Sequence, residues 1–177
     1  FRFFHKHSVP VISHYQLTTF RDILDSLFFI IVYPIVVIKI FMTWETDSKI
    51  SKALKYELLF EIDKVTFYSF QQYLYGKHIS KLSISKVISW FENQTTDKNL
   101  YAGLRNGGGN TFIYGCQLYV YSSEILSMKV DPSEIDFRVV PDKVLVNGRH
   151  YLIDDNDVNN MVGPSFRYHK IFNDNYH

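Results

Sequence analysis

The stretch Val87-Ile88-Ser89-Trp90-Phe91-Glu92-Asn93-Gln94-Thr95-Thr96-Asp97-Lys98 constrains this chain more than any other. Apolar residues run to Phe91 and then give way to three polar ones. Beyond them Leu100 and Leu104 fall on one face at helical spacing, with Asp97 near the start and Arg105 in the last turn. The run Asn106-Gly107-Gly108-Gly109 ends that pattern. Acid first, base last and glycine beyond suit the two ends of a helix dipole. The expected unit is strand, polar turn, helix. In open parallel α/β sheets, ligands sit outside the carboxyl ends of the strands, where such a turn lies.

Three further runs read as strands: Thr111-Phe112-Ile113-Tyr114-Gly115, then Asp142 to Gly148, then Asn160 to Pro164. All are short, and the first is rich in β-branched and aromatic residues. Residues 119–140 form a longer connection, broken by Asp131-Pro132 and Pro141, and a short helix is expected from Arg149. Strands separated by helical patterns point to an α/β fold with a parallel sheet and crossovers. Right-handed crossovers would bring Glu92-Asn93-Gln94, Gly115-Cys116-Gln117, Asn147-Gly148 and Gly163-Pro164 to one edge.

Upstream the period is helical. Leu54, Leu58, Ile62, Val65, Phe70 and Tyr73 approximate a stripe, with most charges off it, so one long or two short helices are expected, ended by Gly76. Leu27 to Ile38 carries no charge, and apolar residues continue past Lys39 to Trp44. A membrane span needs about 20 apolar residues. Three readings stand for this run: a buried or Pro34-kinked core helix, a helix on a membrane surface, and a true span. We therefore expect residues 1–48 to form a helical, membrane-touching segment and 49–177 a Rossmann-like domain.

Composition removes several function classes. With 19 basic and 18 acidic residues, net charge +1, there is no broad electrostatic footprint for nucleic acid. His5, His7 and His14 fit no standard metal-ligand spacing, and a single Cys116 excludes a multi-cysteine zinc site, so no metal is expected. One cysteine also suits a reducing compartment. Gly107-Gly108-Gly109 follows a helix, whereas phosphate-cradling glycines precede one.

Four blocks, in this order, resemble the N-terminal half of GT-B-type glycosyltransferases from surface-carbohydrate (O-antigen or capsule) clusters. They are Trp90-Phe91-Glu92-Asn93-Gln94 with Asp97-Lys98, Gly115-Cys116-Gln117, Val140-Pro141-Asp142-Lys143-Val144-Leu145-Val146-Asn147-Gly148, and Gly163-Pro164-Ser165-Phe166-Arg167-Tyr168. The sequence departs from the commonest family pattern at Thr96-Asp97, where an aromatic-acid pair is usual, and at Leu118, where histidine often follows. The resemblance implies an acceptor-side Rossmann-like domain, with the C-terminal nucleotide-sugar domain absent from these 177 residues. It implies transfer of a sugar from a nucleotide-sugar donor, with no other cofactor, to a lipid-linked surface-polysaccharide acceptor at the cytoplasmic face of a membrane. Two rivals are a non-catalytic sugar- or partner-binding module and a small membrane-associated protein.

Under that resemblance Glu92 is the candidate catalytic base, able to take a proton from the acceptor hydroxyl if burial raises its pKa. Capping of the following helix and hydroxyl binding are the other roles open to it. Asn93 and Gln94 offer donors and acceptors to sugar hydroxyls, or else satisfy the turn backbone. Gly115, Gln117, Asn147 and Gly163 complete the candidate binding rim. Arg167 suits a diphosphate, or equally a salt bridge.

Overall fold

A computed structural model describes residues 14–45, 48–60, 62, 67–117, 130–152 and 159–163. The chain divides into two compact units, Phe1–Tyr75 and Gly76–His177, each taken here by itself. The boundary between them falls within a helix.

The first unit is helical: α1 (His14–Leu17), α2 (Phe20–Thr43), α3 (Lys49–Phe60) and the first part of α4 (Phe67–Ser80). Thr19 starts α2 through a reciprocal pair of bonds. Its hydroxyl accepts from the Asp22 N–H (3.2 Å), and the Asp22 carboxylate accepts from the Thr19 N–H (2.6 Å). Two orphan donors are thereby satisfied at once. Pro34 lies inside α2, and the helix continues through it to Thr43. Phe29 stacks on Phe70 of α4 with centroids 4.3 Å apart, and Phe41 meets Tyr56 of α3 edge-on at 5.6 Å. Lys55 lies over the Phe41 ring and donates to the carbonyl of Trp44 (2.8 Å), closing the end of α2.

The second unit is the α/β unit: β1 (Lys86–Trp90), α5 (Thr95–Asn106), β2 (Phe112–Cys116), α6 (Pro132–Asp136), β3 (Lys143–Val146), a 3₁₀ turn (Arg149–Tyr151) and β4 (Asn160–Val162). All three pairings are parallel, in the order β1-β2-β3-β4, so the fold is a four-stranded parallel sheet with flanking helices, compatible with a Rossmann-like arrangement. The order never reverses among the described strands. They therefore contain no point where diverging crossovers open a crevice.

Register divides the side chains cleanly. Val87, Ile113, Val144 and Val146 share one face and pack with Phe91, Tyr101 and Leu104 in a single buried cluster. Leu100 of α5, Ile135 of α6, Tyr151 and Ile79 of α4 cover that same cluster. A sheet wound in one direction keeps its crossovers on one side. On the other face Ile88, Trp90, Phe112 and Met161 are exposed.

The helical stripe from Lys52 onward resolves into two helices, and Gly76 does not end the second. It sits inside α4, which runs on to Ser80. The reason is close approach: a Cβ there would lie 2.4 Å from the Leu100 carbonyl oxygen and 2.8 Å from the Leu104 nitrogen, both α5 backbone. Gly76→Ala should therefore destabilise the protein by about 1–3 kcal/mol through overpacking, although alanine favours a helix interior by about 1 kcal/mol. Urea unfolding of the two proteins measures this. An unchanged or raised midpoint would show that the helices separate at little cost.

Candidate functional site

The carboxyl ends of the four strands form one rim. The ladder continues one residue past three of them: Phe91 N–H donates to Cys116 O (3.0 Å), Gln117 N–H to Leu145 O (2.9 Å) and Gly163 N–H to Val146 O (2.9 Å). Parallel pairing thus brings Glu92, Gln117, Asn147 and Gly163, with the adjoining Asn93 and Gln94, to a common edge. Arg167 lies outside the described residues.

The Glu92 loop is held locally. Trp90 Nε1 donates to Glu92 Oε1 (2.6 Å) and Gln94 Nε2 donates to Oε2 (2.8 Å). Each carboxylate oxygen thus accepts one bond and retains further acceptor capacity. Asn93 has φ +55°, a left-handed conformation that Asn tolerates better than most residues. Its amide donates to Glu134 of α6 (3.3 Å), and Glu134 also pairs with Lys98 of α5. Through Glu134, α6 is fastened to both the loop and the helix that follows it.

Asp97 organises the loop from beneath. One of its oxygens accepts from the Glu92 N–H (2.9 Å) and from the Gln94 N–H (3.3 Å). Burial pushes the Asp97 carboxyl above its ordinary 3.8, opposed by the two backbone donors and helped by the nearby Glu92 charge. The capping role weighed for Glu92 is thus performed by Asp97. Tyr101 of α5 closes the underside, its hydroxyl bonded to the Ser89 hydroxyl (2.8 Å) and donating to the Trp90 carbonyl (3.1 Å). Burial raises its pKa as well.

The glycines and the thiol play packing parts. A Cβ on Gly115 would meet Pro141 at 2.7 Å and Phe91 at 2.9 Å, so this residue lies within the packed sheet. A Cβ on Gly163 would meet the Leu145 side chain at 2.9 Å. Cys116 is buried and its pKa is pushed up by desolvation, which removes the thiolate a nucleophile needs.

Gln117 differs from all of these. It is 3% exposed, and among the described residues neither its amide oxygen nor its amide nitrogen has a hydrogen-bond partner. Leaving such a group unsatisfied costs about 1–3 kcal/mol. Nothing in the residue order of Gly115-Cys116-Gln117 announces that burial.

At the opposite edge of the sheet, Arg105 ties three elements together. Its guanidinium donates to the Arg138 carbonyl (3.0 Å), the Val140 carbonyl (2.9 Å) and Asp142 Oδ1 (3.0 Å), while Asp142 Oδ2 accepts from the Ile113 N–H (2.7 Å). A cavity of about 240 Å³ opens beside this network, lined by Arg138, Val144 and Asn159 among others. It lies at the amino ends of β3 and β4, away from the rim. Among the described residues no group of three or more His, Cys, Asp or Glu side chains is placed to hold a metal ion.

The Asp97 shift has a testable sign. The folded state binds this proton more tightly than the unfolded chain, so the ionised carboxylate is held at a cost. Stability contributed by its protonation appears as pH falls through the interval just above 3.8. Asp97→Asn keeps an oxygen for both backbone donors and abolishes that titration. Wild type should therefore gain stability relative to Asp97→Asn between pH 7 and pH 4 in chemical unfolding; parallel pH profiles would refute the burial account. No family model matches this sequence, and no curated protein or solved structure is significantly similar to it.

Proposed function

We propose that the α/β unit is the acceptor-binding part of a glycosyltransferase acting on a surface glycan, with the rim of Glu92, Asn93, Gln94, Gln117 and Asn147 meeting the sugar. The observation carrying this reading is the rim of polar side chains at the strand ends, with the Gln117 amide buried beneath it and without a hydrogen-bond partner among the described residues. A sugar hydroxyl both donates and accepts, and a primary amide answers it on both counts. The block resemblance supplies the reaction class. In that class the acceptor hydroxyl attacks the anomeric carbon of a nucleotide sugar, the nucleotide leaves, and a base takes the hydroxyl proton. Glu92 is the carboxylate on the rim available for that proton, with Trp90 and Gln94 fixing its orientation. Arg167 is the guanidinium proposed for the donor diphosphate.

Gln117→Met separates binding from folding. Removing an unsatisfied buried amide should raise stability by about 1 kcal/mol, while binding of acceptor oligosaccharides, followed by titration calorimetry, should weaken at least tenfold. A variant less stable than wild type, or one that binds as well, would take away the observation on which the reading stands. Glu92→Gln tests the base in the full-length protein supplied with nucleotide sugar. General-base loss typically costs about 10²–10⁴-fold in rate. A normal rate with a lowered melting temperature would make Glu92 a structural member of the loop. Unchanged rate and unchanged stability would leave neither role.

A further inference from the structure

Helix α2 is built inside out for an aqueous protein. Asp22, Ser26, Phe29, Tyr33 and Val37 recur at spacings of four, three, four and four, which places them on one face. That face is the packed one: Asp22, Ser26 and Val37 are 7%, 0% and 2% exposed, and Phe29 stacks on Phe70. Ser26 is accommodated there by donating to the Asp22 carbonyl (2.7 Å). The opposite face presents Phe20, Leu24, Phe28, Ile31, Ile35 and Met42, whose exposures range from 49% to 77%. Asp22 and Ser26 lie on the packed face while a full stripe of bulky hydrocarbon lies outward, unlike a helix that covers a core in water.

We propose that the outward face of α2 seats in a lipid bilayer, with the helix lying along the membrane surface and not crossing it. Twenty-four residues make a helix of about 36 Å, long enough by itself to cross. The distribution of charge and packing along it favours the other orientation. The uncharged run from Ser26 to Ile38 is only about 20 Å long at the helical rise, short of a hydrocarbon core of about 30 Å. The apolar stripe also continues undiminished to both ends, where Phe20 and Met42 are its most exposed members at 75% and 77%. A spanning helix would become polar there. Arg21, its partner Asp25 (3.8 Å) and Lys39 follow one flank of the stripe, where headgroups meet a helix lying in the interface. The Phe29–Phe70 stack sets α4, with Gln71 and Gln72, beside the first half of α2, a depth at which a crossing helix would be surrounded by acyl chains. Beyond the helix, exposed Lys49 and Lys52 of α3 add positive charge suited to anionic headgroups.

Flotation of the full chain with phosphatidylcholine vesicles, with and without phosphatidylglycerol, tests this seat. We expect the protein to float with the vesicles, more completely with the anionic lipid, and to be released by alkaline carbonate. The double substitution Ile31→Asp and Ile35→Asp, on side chains already exposed, should keep the helical circular-dichroism spectrum and lose flotation. Leu24→Lys provides a second variant at a separate turn, with the same expectation. A wild-type protein that stays with the soluble fraction for both vesicle types overturns the proposal, as does a double variant that floats undiminished. Retention through carbonate extraction overturns the in-plane orientation. None of these readouts depends on sugar transfer.

Discussion

Parallel pairing forces every connection in the α/β unit to travel the length of the sheet before the next strand can begin. From that constraint follow a common edge for all strand ends, a set of crossovers to house, and one face on which this chain houses them. Core, rim and bare face are therefore three results of a single geometry. Phe91, Tyr101 and Leu104 lie between sheet and crossovers, whereas Ile88 and Trp90, one residue out of phase along the same strand, face away. Parallel sheets are ordinarily covered on both faces. In the unit Gly76–His177 the second face leaves Ile88, Trp90, Phe112 and Met161 exposed.

The two edges of the sheet are secured by different chemistry. At the amino edge a guanidinium fork collects two carbonyls and a carboxylate, and the same carboxylate takes a strand amide. The bond to the carboxylate is charge-assisted and, with the two to carbonyls, fixes the guanidinium in place. At the carboxyl edge the links are carboxylates shared among loop groups: Asp97 beneath the loop, Glu134 from the side, Trp90 and Gln94 on the Glu92 carboxylate. A site needs polar groups with capacity left over, and the carboxyl edge is where that capacity lies. Sugar recognition there would use side chains already oriented by neighbours of their own.

Much of the fold was legible because its signals are local. Strand positions near residues 87, 112, 144 and 161 followed from short apolar runs bounded by polar or glycine residues, and α5 followed from Asp97, Arg105 and the glycines after it. What escaped was set by tertiary contact. Gly76 reads as a stop, yet it is a crossing point where the backbone of α5 leaves no room for a methyl group. Asp97 reads as a dipole-compensating acid, and its second bond, to the Glu92 amide, depends on the path of the turn between strand and helix. Gln117 reads as a rim residue. Its burial without a partner depends on how many atoms converge from elsewhere. Likewise the hydrophobicity of Leu27 to Trp44 was plain, but its polarity inversion required knowing which side Phe70 occupies.

The unreversed strand order carries a consequence for how the chain acquires its structure. Lys86 pairs with Phe112, Tyr114 with Lys143 and Val144 with Asn160, so each strand needs only the one made just before it. Loop closure is then paid in small successive instalments, and no early strand waits for a late one to be inserted beside it. During synthesis β1, α5 and β2 can associate as they emerge, and β3 and β4 add in turn to an existing edge. A sheet whose order doubled back would leave an exposed central strand until its last neighbour arrived. Among the described strands this one keeps a single growing margin, extended in turn by β2, β3 and β4.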